Sequence, residues 1–243
     1  MYELFYWPTI QGRGEFVRLA LEEAGVGYVD VAREPGGMAR MIAAMDGADQ
    51  PSYAPPFLKA DGILVGQTAT ILAFLGQRHG LAPDDEQGRL WVQQIQLTIA
   101  DLVAEAHDSH HPIATSLYYE DQRPEAKRRA ADFIETRIPK FFDWFEGILA
   151  RAAPHDYLLG ARVSYADLSL FQLLEGLRYA FPQALARIEG GYPLLSALRE
   201  RVAQRPRIAA YLASARRLPF NEEGIFRHYA ELDVKPAAKQ ARE

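Results

Sequence analysis

The chain contains no cysteine among its 243 residues. This absence excludes disulfide bonds, a thiolate nucleophile from the protein itself, and zinc or iron–sulfur sites built on cysteine ligands. If a thiol takes part in the chemistry of this protein, a bound molecule therefore has to supply it.

The sequence also lacks long apolar runs and an excess of basic residues. No stretch of ~20 apolar residues occurs, and no basic segment followed by an apolar one opens the chain, so we expect neither a membrane span nor a signal peptide. The 27 Lys and Arg residues are outnumbered by 32 Asp and Glu residues, which argues against a nucleic acid partner. These absences predict a cytoplasmic protein that binds neither membranes nor nucleic acids.

The composition does provide enough apolar material for a folded core. Apolar residues make up 49% of the chain and charged residues 24%, as is typical of globular proteins. Because domains cluster around ~100 to 150 residues, a chain of this length favours two of them.

The first eighty residues alternate between strand and helix patterns. Residues 2–6 and the segment GYVDVA read as strands, and GRGEFVRLALEEAG between them has the apolar spacing of a helix. A weak helix around residues 38–45 precedes FLKADGILVGQ, which reads as a hairpin with Asp61-Gly62 as its turn. Thr68 is predicted to cap the helix that follows. The order β-α-β-α-β-β-α predicts a mixed sheet covered by helices.

From residue 86 onward, every convincing pattern is helical. Apolar residues recur at helical spacing over residues 91–106 and again over residues 134–149. Ser164 and Asp167 form a capping box ahead of another apolar helix. The C-terminal residues are polar and predict an irregular tail.

Three motifs in this order carry a resemblance to a known family. They are YW followed by GR and VRLALE at the first strand–helix junction, PFLKADGILVGQTATILAFL around the hairpin, and SYADLSL in the helical part. The chain resembles the cytosolic glutathione S-transferases over nearly its whole length, most closely the tyrosine-type mu, pi and sigma classes and their bacterial relatives. The resemblance implies a thioredoxin-like glutathione-binding domain over residues 1–80. An all-α helical-bundle domain with a hydrophobic co-substrate pocket and an irregular tail would follow over residues 86–243.

The resemblance implies that Tyr6 activates the thiol of glutathione. In this family a tyrosine at the end of the first strand donates a hydrogen bond to the sulfur, and a free thiol, with a pKa of ~8.5, needs such help at neutral pH. The junction YWPTIQGRGEFVR is one residue longer than the mu and pi patterns, so Thr9 is the alternative candidate. A purely structural role for Tyr6 as a strand aromatic also stays open.

Four further residues match family positions that hold glutathione. Gln67 and Thr68 match the residues that bind its γ-glutamyl end, and a helix N-terminus there favours a carboxylate. Arg13 is placed to attract the glycyl carboxylate. Asp101 matches an acid that reaches the ligand's ammonium in trans, across a dimer interface. The alternatives are a plain N-cap for Thr68 and solvated side chains for Arg13 and Asp101.

Two consecutive prolines stand directly ahead of the predicted hairpin. Pro56 matches the family's cis-proline, so we expect a cis bond between Pro55 and Pro56. Pro55 then occupies the position that faces the cysteinyl unit of the ligand, where its carbonyl can accept a hydrogen bond but no N–H is present to donate one. We therefore expect comparatively weak binding of free glutathione.

The walls of the hydrophobic co-substrate pocket are predicted from apolar and aromatic residues near the junction loop and in later loops. These residues are Pro8, Ile10, Tyr118, Tyr119 and Phe220.

Other polar residues carry weaker signals. His107, His110 and His111 have spacing that permits a metal site, but solvent-facing histidines at a helix end are the commoner case, so we predict no metal. Arg18 reads as a helix-surface or inter-domain residue. The glycines at positions 12 and 14 lack the remainder of a dinucleotide fingerprint.

The sequence therefore predicts a homodimeric glutathione transferase that joins the glutathione thiolate to electrophilic apolar molecules. Glutathione is its expected co-substrate. Two alternatives stay open: a glutathione-dependent isomerase or peroxidase that uses the same site, and a non-catalytic binding module with the same fold.

Overall fold

The computed structural model describes residues 1–233, and the end of the predicted tail lies outside them. Its first part contains four strands and three α-helices. The strands are β1 (Tyr2–Phe5), β2 (Tyr28–Asp30), β3 (Phe57–Ala60) and β4 (Ile63–Gly66), and the helices are α1 (Gly14–Ala24), α2 (Gly37–Asp46) and α3 (Thr68–His79). This order confirms the predicted β-α-β-α-β-β-α arrangement.

The strands form one mixed sheet in the order β2-β1-β3-β4. Strand β1 runs parallel to β2 and antiparallel to β3, with Leu4 opposite Leu58. The β3–β4 hairpin turns through Asp61 and Gly62, whose φ angles of 52° and 78° are left-handed. Asp-Gly is a favoured pair for such a two-residue turn, and the predicted hairpin is confirmed.

The second part is helical, as predicted. Its helices are α4 (Glu86–Asp108), α5 (Arg123–Asp132), α6 (Ile138–Arg151), α7 (Tyr165–Ala180), α8 (Pro182–Ile188), α9 (Pro193–Ala203) and α10 (Pro206–Leu212). The predicted capping box opens α7, where the Asp167 carboxylate accepts a 2.7 Å hydrogen bond from the Ser164 N–H. No helix in residues 1–233 is both long and apolar enough to cross a membrane.

The predicted tail is irregular within the described residues, but it packs firmly on the helical part. Ile225, Phe226 and Leu232 are buried. The Asp233 carboxylate accepts hydrogen bonds of 2.7 and 2.9 Å from the N–H groups of Gln183 and Ala184 at the start of α8. This segment therefore caps a helix and adds to the core although its composition is polar.

Candidate active site

Tyr6 directly follows β1, and its ring is almost completely enclosed. Its side chain is 4% exposed and packs over Gly12 and Gly14. A β-carbon at either glycine would overlap the Tyr6 ring or its hydroxyl, and Gly12 also has a φ of 43°. Both glycines of the junction loop therefore serve the close approach of the Tyr6 side chain.

The Tyr6 hydroxyl is bound at the start of α1. Its oxygen accepts a 2.8 Å hydrogen bond from the N–H of Arg13, the residue that precedes this helix. Burial raises the pKa of Tyr6, while the Arg13 N–H and the charges of Arg13 and Arg18 oppose this shift. A raised pKa keeps the hydroxyl protonated at neutral pH, so it can donate its own proton to an anionic sulfur.

Thr9, the alternative candidate, lies in different surroundings. Its exposed side chain contacts the Glu223 carboxylate at 3.4 Å, and its carbonyl accepts a hydrogen bond from Asn221. A carboxylate beside the hydroxyl disfavours a second anion there. The geometry therefore favours Tyr6 over Thr9 as the group that stabilises a thiolate.

A cavity of about 310 Å³ lies between the start of α3 and α4, and Arg13, Gln67 and Thr68 all line it. The prediction that Thr68 caps α3 is wrong, because Gln67 occupies the cap position and Thr68 is the first helical residue. The Thr68 hydroxyl is buried without a partner in the described residues. Gln67 has a φ of 63°, unusual for a residue with a side chain.

Asp101 lies on α4 with an exposed side chain, one residue beyond Ala100, which lines this cavity. The neighbouring Ile99 and Leu102 are 0% exposed. Asp101 therefore points away from the core of its own chain, as an acid must if it is to reach a second copy.

The peptide bond between Pro55 and Pro56 is cis, as predicted. Pro56 is buried and Pro55 half-buried, directly ahead of β3. The weak binding of glutathione expected from the absent Pro55 N–H stays a prediction.

The predicted co-substrate residues fall into two groups. Pro8, Ile10 and Phe220 are half-buried, and Phe220 lies with Gly12 around a small cavity next to Tyr6. Tyr118 is 78% exposed, whereas Tyr119 is 3% exposed. The Tyr119 ring stacks on Tyr229 at 3.8 Å, and its hydroxyl donates to Glu231.

A buried charged network beneath the junction loop was not predicted. Arg18, expected at a surface or between domains, is 0% exposed, and it bonds Asp30 at 2.7 Å and Glu15 at 3.2 Å. Glu15 also accepts hydrogen bonds from Arg217 and Tyr211 of the helical part, at 2.5 and 2.7 Å. The sequence contained one indication of this network, because Glu15 and Arg18 stand three residues apart among the apolar residues of α1.

The same network fixes the junction loop itself. The Gln11 amide donates to the carbonyl of Leu218 and accepts a 2.7 Å hydrogen bond from Gln172 on α7. Arg217 donates a 3.0 Å hydrogen bond to the side-chain amide oxygen of Gln172. The loop that carries Tyr6 is thus held by residues more than 150 positions away along the chain.

The expectation of solvent-facing histidines is wrong. His110 is 1% exposed and His111 9% exposed, because the C-terminal segment covers the end of α4. No group of three or more His, Asp or Glu residues within positions 1–233 is arranged to hold a metal ion.

Comparison with known proteins assigns the family. A family model described as the glutathione S-transferase C-terminal domain matches residues 107–215. Glutathione S-transferase P 1 of Xenopus laevis is 30% identical over 222 residues, which cover 88% of this chain and 92% of the relative. Glutathione S-transferase alpha I of Oryctolagus cuniculus is 30% identical over 173 residues, 70% of this chain and 71% of the relative.

Comparison with solved structures finds the fold of this family. The pi-class glutathione S-transferase of Onchocerca volvulus superposes with a TM-score of 0.71 at 22% identity, over 92% of this chain and 98% of that one. The chain belongs to the glutathione S-transferase family. The narrower prediction of a bacterial mu, pi or sigma type stays a prediction.

Proposed function

We propose that this protein is a glutathione transferase that joins the thiolate of glutathione to electrophilic apolar molecules. The observation that carries the proposal is that Arg13 links two features: its N–H binds the enclosed Tyr6 hydroxyl, and it lines a cavity together with Gln67 and Thr68. The family relationship supports the thiol co-substrate, which a chain without cysteine has to take from outside.

Tyr6 would act on the sulfur. The Arg13 N–H withdraws electron density from the hydroxyl oxygen and leaves its proton free to be donated outward. A thiol with a pKa of ~8.5 is only a few per cent ionised at neutral pH, so a preorganised donor raises the fraction of nucleophile. A half-buried apolar surface that includes Ile10 and Phe220 would hold the electrophile nearby.

The cavity beside α3 would hold the γ-glutamyl end of glutathione. The free N–H groups at the start of a helix attract a carboxylate, and the unpartnered Thr68 hydroxyl offers one more donor. Arg13 adds a positive charge at the same cavity. This arrangement favours a ligand with a carboxylate.

We also propose that the protein is a homodimer in which Asp101 reaches the ligand bound to the other copy. Exposed apolar side chains on α4 and before β3 support an interface, with Leu90 67%, Leu97 50% and Tyr53 95% exposed. Burial of such side chains in a second copy would remove apolar surface from water.

The first experiment combines calorimetry with glutathione and a conjugation assay with 1-chloro-2,4-dinitrobenzene. We expect Tyr6→Phe to lower kcat by about 10- to 100-fold, since anion-stabilising donors contribute ~10² to 10³ in other enzymes and a soft sulfur anion gains less. Glutathione affinity should change little, because the hydroxyl acts on the sulfur alone.

Thr9→Ala is the matched control and should leave kcat unchanged. If Thr9→Ala lowers kcat and Tyr6→Phe does not, the role belongs to Thr9. Glutathione binding without turnover would identify a binding module, and the absence of both would contradict the proposed function.

A further inference from the structure

One buried side chain of α4 carries a polar group without a partner. Gln96 is 2% exposed, and the other buried residues of this helix are all apolar. Its Oε1 is completely buried and has no hydrogen-bond partner within residues 1–233. A buried amide that lacks a partner costs stability, so the presence of Gln96 among apolar side chains needs a physical reason.

The other end of the Gln96 amide reaches the cavity between the start of α3 and α4, which Gln96 lines. Its Nε2 makes no hydrogen bond to any residue that the structure describes, and it is not one of the completely buried polar atoms without a partner. The small exposed part of this side chain therefore includes Nε2, which carries two N–H donors.

A second glutamine of α4 lines the same cavity but has a partner inside the protein. The Oε1 of Gln93 accepts a 3.1 Å hydrogen bond from the Tyr165 hydroxyl. Of these two amides, that of Gln96 is the one left for a bound molecule.

The first turn of α3 lines this cavity with further donors. Thr68, Ala69 and Thr70 belong to the lining, and the Ile71 N–H donates to the Gln67 carbonyl at 2.9 Å. The N–H groups ahead of Ile71 have no acceptor in their own helix. The Thr68 hydroxyl is also buried without a partner among the described residues. Both helices therefore present hydrogen-bond donors to the cavity.

The charge of the cavity favours an anion. Among the described residues that line it, Arg13 is charged and none is Asp or Glu. A positive charge, a helix N-terminus and side-chain donors together attract a carboxylate. A carboxylate can accept from several donors at once, because its two oxygens carry about four lone-pair sites.

We propose that Gln96 is a binding residue of the glutathione site and that its Nε2 donates a hydrogen bond to the α-carboxylate of the γ-glutamyl unit. The carboxylate then lies between the first turn of α3 and the amide on α4. Gln96 makes the protein select thiol peptides that carry this carboxylate. The inference rests on the proposed function, in which this cavity holds the γ-glutamyl end of glutathione.

Removal of the amide should affect stability and binding in opposite directions. Gln96→Met keeps a similar shape and removes an amide that has no partner within positions 1–233. The variant should therefore unfold at the same or a higher temperature than wild type, because apolar atoms replace an unsatisfied polar group. Its affinity for glutathione should fall about 10-fold, as expected for the loss of a hydrogen bond to a charged group.

Thermal denaturation measures the first effect, and calorimetry with glutathione measures the second. In conjugation of 1-chloro-2,4-dinitrobenzene, Gln96→Met should raise KM for glutathione with little change in kcat, since the amide binds the end of the ligand that does not react. Gln183→Met is the matched control, because Gln183 is an exposed glutamine on α8. It should change neither the affinity nor the unfolding temperature.

Two thiol peptides identify the group that Gln96 binds. Glutaryl-cysteinyl-glycine keeps the carboxylate of glutathione and lacks its ammonium, whereas 4-aminobutyryl-cysteinyl-glycine keeps the ammonium and lacks the carboxylate. Gln96→Met should lower kcat/KM about 10-fold with the glutaryl peptide, as with glutathione. The value for the aminobutyryl peptide should not change. The reverse pattern would assign Gln96 to the ammonium and overturn the proposal.

Gln96→Glu tests the same assignment by the sign of its effect. A second carboxylate repels the α-carboxylate of the ligand, so this variant should bind glutathione more weakly than Gln96→Met does. Tighter binding by Gln96→Glu would contradict the proposal, because only a positive group of the ligand gains from the new charge.

Unchanged glutathione affinity in Gln96→Met overturns the role of Gln96 and leaves the proposed function intact. A Gln96→Met protein that unfolds at a lower temperature, or does not fold, also overturns this role, because the amide then serves the structure of the protein. A wild-type protein that neither binds glutathione nor conjugates the aryl chloride overturns the proposed function as well.

Discussion

In the helical part, the large side chains with almost no exposure include Phe133, Phe142 and Phe145, whereas in the α/β part the largest such side chain is that of Arg18. The aromatic residues contact other apolar residues and require no particular partner. Arg18 is buried only because Glu15 and Asp30 neutralise it. Both parts have an apolar core, but the α/β part also depends on buried charged pairs beneath the loop that carries Tyr6.

This difference shows where each part is sensitive. Apolar contacts weaken gradually as atoms are removed. A buried ion pair loses far more when one member is removed, because the other charge stays behind without compensation. The site-bearing part should therefore tolerate fewer changes of charge, and the helical part fewer changes of volume.

The largest effect is expected in the helical core. Phe145→Ala should lower the free energy of unfolding by about 3 to 5 kcal/mol, because it removes a ring that is 0% exposed and leaves a cavity. Urea denaturation measures this loss. Ile113→Ala, at a residue 58% exposed, is the control and should stay within about 0.5 kcal/mol of wild type.

Glu15→Gln tests the buried network and should cost about 3 kcal/mol, the lower end for a broken buried pair, because Asp30 still compensates Arg18. The change keeps the side-chain volume but removes the charge that Arg18 and Arg217 share. Glu125→Gln, at an exposed position on α5, is the matched control. A loss below about 1 kcal/mol would contradict the contrast between the two parts.

Asp101→Asn tests the proposed interface between two copies of the chain. If its carboxylate pairs with the ligand's ammonium across a dimer, the variant should bind glutathione about 1.5 kcal/mol more weakly, as for a lost charged hydrogen bond. Calorimetry measures the change, with Glu86→Gln on the same helix as control. A fully active monomer in sedimentation would rule out the trans geometry.

The smallest effect is expected at an ion pair on the rim of the helical part. A hydrogen bond from Arg137 is the main cause that lowers the pKa of Glu105, and Arg129 contributes less. A carboxyl group whose pKa is lowered in the folded protein stabilises the fold at pH values above its ordinary pKa of 4.5. This stabilisation is lost as the pH falls through the pKa of the folded state. Glu105→Gln should cost about 0.5 kcal/mol at pH 7, since the pair is partly exposed.

The difference between Glu105→Gln and wild type should shrink as the pH falls through the lowered pKa of Glu105, because the wild-type side chain then loses its charge. Paired denaturation curves at pH 7 and pH 3 measure this. A cost that is the same at both pH values would mean that Glu105 stabilises the protein by packing.

The sequence by itself determined the order of the elements, the Asp61-Gly62 turn and the cap at Ser164, because each depends on residues a few positions apart. Spacing and turn chemistry are local, so they can be predicted without the fold. The absence of cysteine likewise predicted that a thiol must come from a bound molecule. The motifs around Tyr6 and Gln67 predicted the family that the relatives confirm.

Only the tertiary structure decided which polar groups are buried. Glu15 meets Arg217 across 202 positions, and His110 meets Ile225 across 115. These polar side chains are buried because distant residues satisfy their hydrogen bonds, so neither the charged network nor the burial of His110 could be predicted from local pattern.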